Sequence, residues 1–180
     1  MVADSTNVGP VSETSTPQGF DDILEANRDY ASTFTSGGFD GIAKAGIGIV
    51  TCMDSRIEPL KMLGLELGDA KIFRNPGARM SDNALEALVL GVHLLNVKRI
   101  MIVPHTRCAV GTNSEELIRE KVSESAGVDV TWHPFNVVTD QVKSLGMDVH
   151  RVRSHPLIPE TVQVGGFMYD VDTGLLDQKF

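Results

Sequence analysis

From residue 46 onward the apolar positions follow two alternating rhythms: short unbroken runs, and stretches with apolar residues three or four apart. The unbroken runs read as strands buried on both faces, the spaced ones as helices with a single apolar stripe. Strands are expected at 47–51, 70–73, 98–103 and 128–135. Residues 60–67 read as a short helix, with Pro59 suited to its first turn. Ser81 or Asp82 caps a helix through about Leu95, with Leu85, Leu88, Val89 and Val92 inward. Thr112-Asn113-Ser114-Glu115 has the form of a capping box opening a helix through Ser123, and Gly127 is its terminator. Val142, Leu145, Val149 and Val152 mark one more helix, with Gly146 inside it a poor helix former. The tail runs 161–164 and 167–171 turn at Asp172-Thr173-Gly174 into Leu175-Leu176, a hairpin at a sheet edge.

Ahead of this alternation, Phe20, Ile23, Leu24 and Phe34 lie on a roughly helical spacing that Ser36-Gly37-Gly38 ends. That amphipathic helix has two uses, packing on the chain's own core or on a second subunit. Residues 1–18 are rich in Ser, Thr, Gly and Pro and are expected to be disordered, since nothing in them repays the loss of chain entropy. Residues 19–180 then form one domain. Strands alternating with helices imply an α/β fold: a largely parallel central sheet flanked by helices, with an antiparallel C-terminal edge hairpin.

Composition narrows the partners. Sixteen Lys and Arg against 24 Asp and Glu give a net charge of −8, with the cations scattered. Nucleic acid and anionic membranes call for a basic footprint, so neither is an expected partner. No stretch has the length of a transmembrane helix, and no basic region followed by an apolar one opens the chain, so the expected location is cytoplasmic. Two cysteines are too few for a disulfide framework and do not form a Cys-x-x-Cys pair.

Those two cysteines are where the chemistry lies. Cys52-Met53-Asp54-Ser55-Arg56 directly follows the run ending at Val50 and Thr51, and His105-Thr106-Arg107-Cys108 follows the run ending at Val103. In open α/β sheets ligands bind beyond the carboxyl ends of the strands. Neighbouring strands there would bring Cys52, His105 and Cys108 together, and two thiolates with one imidazole are a preferred ligand set for a catalytic Zn²⁺. At the start of a helix, amide donors would favour the Cys108 thiolate. With two thiolates donating charge, the expected optimum is alkaline. Asp54 stands two residues from a ligand and can take the fourth metal position itself; Arg56 offers a fork that can hold Asp54 away and leave that position to water. The same residues would also serve a structural zinc protein with Asp54 as permanent fourth ligand, or a metal-free thiol-redox protein using Cys52 and Cys108. His93, near the apolar face of its helix, is weighed as an ordinary helix histidine; His133, His150 and His155 have no partner pattern. Trp132 and Phe135 read as core or interface residues.

Cys52-x-Asp54-x-Arg56 followed by His105-x-x-Cys108 resembles the β-class carbonic anhydrases, and Arg74-Asn75-Pro76-Gly77 looks like that family's Arg-Asn-x-Gly/Ala turn. The likeness runs from the Phe20 helix to the segment from Tyr169 to Gly174. It implies one zinc per chain on Cys52, His105 and Cys108, with Asp54 and Arg56 as catalytic dyad or, in a closed form, Asp54 as fourth ligand. It implies attack of zinc hydroxide on CO₂, giving bicarbonate and a proton, by a homodimer or dimer-built tetramer whose N-terminal helix embraces the partner. Enzymes that hydrolyse carbonyl sulfide or carbon disulfide share the scaffold and are the alternative. Pro76, Arg107, Ala109 and Val110 depart from the common pattern without removing a ligand.

Overall fold

The computed structural model describes residues 19–180, so the expectation for residues 1–18 lies outside the described residues. Two units divide after Gly38. In the first, helix α1 (Asp21–Ser32) opens with two acids in its first turn and has no buried residue. Phe20, Ile23, Leu24 and Tyr30 are all exposed along it, and the Tyr30 ring lies 5.4 Å from that of Phe34. The helix stops before Phe34, two residues short of the expected end.

The second unit is built on a five-stranded sheet in the order β2-β1-β3-β4-β5. Strand β1 (Ile47–Cys52) is central and buried along its whole length, which is why its sequence is an apolar run instead of an alternation. It pairs in parallel with β2 (Ala70–Asn75) on one side and β3 (Arg99–Val103) on the other. Strand β4 (Gln163–Tyr169) continues the parallel order beside β3, and β5 (Leu176–Gln178) closes the edge antiparallel to it. The hairpin turn is held by Asp170 Oδ1, which accepts from the backbone N–H groups of Asp172 and Thr173.

Helices α2 (Asp82–Leu94) and α5 (Gln141–Arg153) supply Leu85, Leu88, Leu145, Val149 and Val152 to one core cluster, against Val50, Ile100, Ile102 and Val164 of the sheet. Val89 and Val92 pack on that cluster from the side. Ser81 is the N-cap of α2, accepting from Ala84 N. A second cluster holds Ile47, Ile49, Ile57, Val103 and Tyr169 together with both cysteines. A four-residue helix α3 (Ala109–Thr112) and the longer α4 (Glu115–Ala126) follow β3.

Four expectations need correction. The 128–135 run is a loop: Val128 and Trp132 are exposed, Asp129 caps the turn through Thr131, and Pro134 has no N–H for a ladder. The place beside β3 goes to β4, which joins two runs that Gly165 and Gly166 divide in the sequence. A Cβ on Gly166 would stand 2.9 Å from Val149 and 3.0 Å from Leu145, so the glycine is what lets α5 lie on the strand. The 60–67 helix shrinks to one 3₁₀ turn, Lys61–Leu63, ended by Gly64 in the left-handed region, and Met62, Leu63 and Leu65 cover the second cluster without a continuous helix. Finally, α4 is capped by Ser114, two residues after Thr112, and reaches Ala126 before Gly127 turns it off.

Candidate metal centre

The chain runs outward from β1 to β2, then returns across to β3 on the other flank of β1. The carboxyl ends of β1 and β3 are therefore the switch point where a crevice must open. Cys52 is the last residue of β1. His105 lies just beyond β3, bridged to Tyr169, and Cys108 immediately precedes α3. Arg107, at φ 56°, takes the left-handed conformation between His105 and Cys108, which costs a non-glycine residue about 1 kcal/mol or more.

The three side chains converge as their positions in the sequence imply. Cys52 Sγ and Cys108 Sγ are 4.0 Å apart, and one ligand atom from each of Cys52, His105 and Cys108 lies within 4.8 Å of the other two. All three residues are buried. The His105 Nδ1–H donates to the Thr106 carbonyl at 2.8 Å, which fixes the tautomer and leaves Nε2 as the free lone pair. That Nε2 is the one buried side-chain polar atom without a partner among the described residues. A buried acceptor is rarely left orphaned, and this one lies with two thiols in a group that could hold a metal ion. Two bonds of ~2.3 Å at a tetrahedral angle would place the sulfurs roughly 3.8 Å apart, close to the spacing found. The donor set and its geometry fit Zn²⁺.

Electrostatics agree with a cluster built to carry charge. Without metal the thiols act as a pair: the hydrogen bond from Cys108 draws the Cys52 thiol well below its ordinary pKa despite burial, and the Cys52 thiolate pushes Cys108 up. Burial opposes charge on His105, but the neighbouring Cys52 outweighs it and raises the ring above its ordinary value. Gly77 N–H also donates to Cys52 Sγ, at 3.3 Å.

Asp54 is held by Arg56. Its Oδ1 accepts from the Arg56 backbone N–H and from Nε, both at 2.9 Å, and Oδ2 accepts from Nη2 at 2.8 Å. This fork keeps the carboxyl far below the usual carboxylate range. The same Arg56 Nη2 donates to the Arg107 carbonyl at 3.1 Å. Asp54 Oδ2 stands 3.8 Å from the orphaned His105 Nε2.

Sequence reading missed the groups that hold this arrangement. Arg74 donates to the carbonyls of Cys52 and Asp54 at 2.9 and 2.6 Å, clamping the loop that carries the Cys52 thiol and the Asp54 carboxylate. Gln141 donates to the His105 carbonyl at 2.9 Å. Backbone donors and acceptors such as Gly77 N–H and Arg107 C=O leave no trace in residue type; only the Arg74–Gly77 turn carried a signal. His93 binds the Leu157 carbonyl, away from the cluster, and Trp132 stands exposed with its ring edge-on to His133, itself edge-on to Phe135.

Fold and site together define an α/β enzyme with a preformed Cys₂His cluster at the switch point of its sheet. A model of the carbonic anhydrase family matches residues 47–176. Beta-carbonic anhydrase 1 of Mycobacterium tuberculosis is 31% identical over 158 residues, spanning 88% of this chain and 96% of its own length. The crystal structure of carbonic anhydrase from Streptococcus mutans superposes with a TM-score of 0.81 at 33% identity, over 92% of this chain and 100% of that one. A carbon disulfide hydrolase of Acidithiobacillus thiooxidans is 28% identical over 172 residues, 82% of this chain and 78% of that protein. The chain belongs to the carbonic anhydrase family, in its β class.

Proposed function

We propose that this chain catalyses the reversible hydration of CO₂ to bicarbonate and a proton, with one zinc per chain on Cys52 Sγ, His105 Nε2 and Cys108 Sγ. The observation that carries the reading is the Arg56 fork on Asp54, beside an imidazole nitrogen with no other partner. Zinc bound there supplies the Lewis acidity that lets a water ionise near neutral pH. The chain's own residues do the rest. Arg56 draws Asp54 away from the ligand atoms, so that Cys52, His105 and Cys108 without Asp54 would hold the metal. Asp54 Oδ2 accepts the hydrogen of the attacking oxygen and so turns a lone pair of that oxygen toward the carbon of the linear substrate. Held far below the usual carboxylate range, Asp54 orients that hydrogen without taking it, so it stays on the bicarbonate; the proton that passes to solvent is the water's other hydrogen, lost when the water ionises. Burial of the three ligand residues keeps the cluster itself out of water.

A second substrate class follows from the carbon disulfide hydrolases among the relatives. Carbon disulfide and carbonyl sulfide are linear, apolar and open to the same attack. Measuring bound zinc, then hydration of CO₂ from pH 7 to 9 beside hydrolysis of both sulfur substrates, decides between the readings. About one zinc per chain and CO₂ as the fastest substrate, with the rate rising toward alkaline pH, is the expected outcome. Metal without turnover would make the site structural, and activity lost on alkylation but not on chelation would make it a thiol-redox site.

The exposed apolar residues of α1 support a homodimer or dimer-built tetramer, which light scattering on the purified chain tests. Among the described residues no helix is long and apolar enough to cross a membrane, and a cytoplasmic location is part of the same proposal.

A further inference from the structure

Asp148 is the one buried carboxylate among the described residues, on the α5 face that also buries Leu145, Val149 and Val152. Its partner is Arg79, which donates from Nε to Oδ2 at 2.7 Å and from Nη2 to Oδ1 at 3.3 Å. Arg79 ends a tight turn. Asn75, at its start, accepts from Arg79 N at 2.8 Å and donates to Arg79 O at 2.6 Å, tying the two ends together. Inside the turn Gly77 and the buried Ala78 both take positive φ, 76° and 57°. The result of this folding is the Gly77 N–H aimed at Cys52 Sγ, 3.3 Å away. Gln141, seven residues before Asp148 and so on the same side of α5, holds the His105 carbonyl.

We propose that Asp148 is a positioning residue for the metal centre: through Arg79 it sets the 75–79 turn so that the Gly77 N–H donates to Cys52 Sγ and moderates the charge this sulfur gives the metal. The inference rests on the reading of Cys52 as a ligand. A donor to a ligating sulfur lowers its basicity and fixes its direction, and groups one step removed from a metal commonly change affinity 10–100-fold when lost. Asp148 reaches the sulfur only through two side chains and one amide. Its removal therefore moves the sulfur's electronics without touching a ligand.

The test compares wild type, Asp148→Asn and Val149→Ala. Asparagine keeps the volume but loses the charged fork; Val149→Ala weakens the same helix in its core without touching Arg79. Zinc affinity is measured by chelator competition, and the sulfur-to-metal charge-transfer band is read on cobalt-loaded protein. The expected result for Asp148→Asn is an affinity lower by up to about 10-fold, below the 10–100-fold for losing a direct partner of a ligand, and a shifted band, while Val149→Ala lowers the melting temperature and leaves both at wild-type values. If Asp148→Asn does not fold, Arg79→Lys, which keeps a cation but loses the fork, carries the same expectation. A wild-type band and affinity in the folded variant, or an equal change in Val149→Ala, overturns the positioning role. A wild-type chain that takes up no zinc overturns the ligand reading and this inference together, so the two failures are distinct.

Discussion

Replacing Arg56 by alanine tests what keeps the centre open. Asp54 receives three hydrogen bonds from Arg56, and the substitution removes the two from the guanidinium, leaving only the backbone N–H on Oδ1. Oδ2 then loses its donor while standing 3.8 Å from His105 Nε2. Oxygen and nitrogen bound to one tetrahedral zinc, with bonds of ~2.0–2.2 Å, lie roughly 3.4 Å apart. The carboxylate is thus within about 0.4 Å of ligand spacing from the nitrogen, a side-chain swing and not a backbone rearrangement. Distance offers no protection; the fork does. The expected outcome for Arg56→Ala is zinc retained at about one per chain and CO₂ hydration lower by roughly 10²-fold or more, the usual scale for losing one positioned hydrogen-bond partner of the reacting group. Arg56→Lys, a single point charge in place of a planar fork, should fall between. Metal analysis, stopped-flow hydration and the cobalt spectrum report the three quantities. Wild-type turnover in zinc-loaded Arg56→Ala would refute the gating argument, because Asp54 would then be staying off the metal without help.

Other expectations follow from the same geometry. Cys108→Ala removes one of the three proposed ligands, and bound zinc measured by elemental analysis should fall close to zero, whereas Asp54→Ala should keep zinc and lose hydration. In zinc-free protein, Asp54 has a folded pKa below its unfolded value of ~3.9, so its contribution to stability is present above that value and disappears as pH falls through the folded pKa. The gap in urea midpoint between wild type and Asp54→Asn should accordingly narrow on acidification below about pH 4; a gap that widens would contradict the assignment. Gly77→Ala places a Cβ at φ 76° and 2.9 Å from Val110 Cγ2. Left-handed strain and overpacking together predict a loss of about 2–5 kcal/mol in urea unfolding; an unchanged midpoint would mean that the turn relaxes freely.

Much of the molecule was legible from residue order because the deciding interactions are local or categorical. The central strands β1 and β3 declare themselves as unbroken apolar runs, since a strand covered on both faces has no polar side to show. Cys52, His105 and Cys108 could be grouped from the sequence on the condition that their strands are neighbours, because a parallel sheet brings the ends of adjacent strands to one edge; the pairing of β1 with β3 meets that condition. Asp54 and Arg56 are two residues apart, and their fork is nearly a local event.

Competition between segments is what local pattern could not resolve. Residues 128–135 and 163–169 both have strand-like composition, and only one can lie beside β3; the choice went to the segment whose Gly166 admits α5 against the sheet. The 60–67 segment has helical spacing, yet its apolar residues are spent covering one end of a sheet face, where a single turn suffices. Apart from the Arg74–Gly77 turn, which its motif marked, the supports of the Cys₂His cluster were beyond reach for a different reason. Arg74, Gln141 and the Asp148–Arg79 pair act on backbone groups or through them, at separations of 20 to 69 residues. Residue type names the atoms able to bind a metal, but their orientation depends on carbonyls and amides that every residue carries, and only the packed chain determines which of these meet.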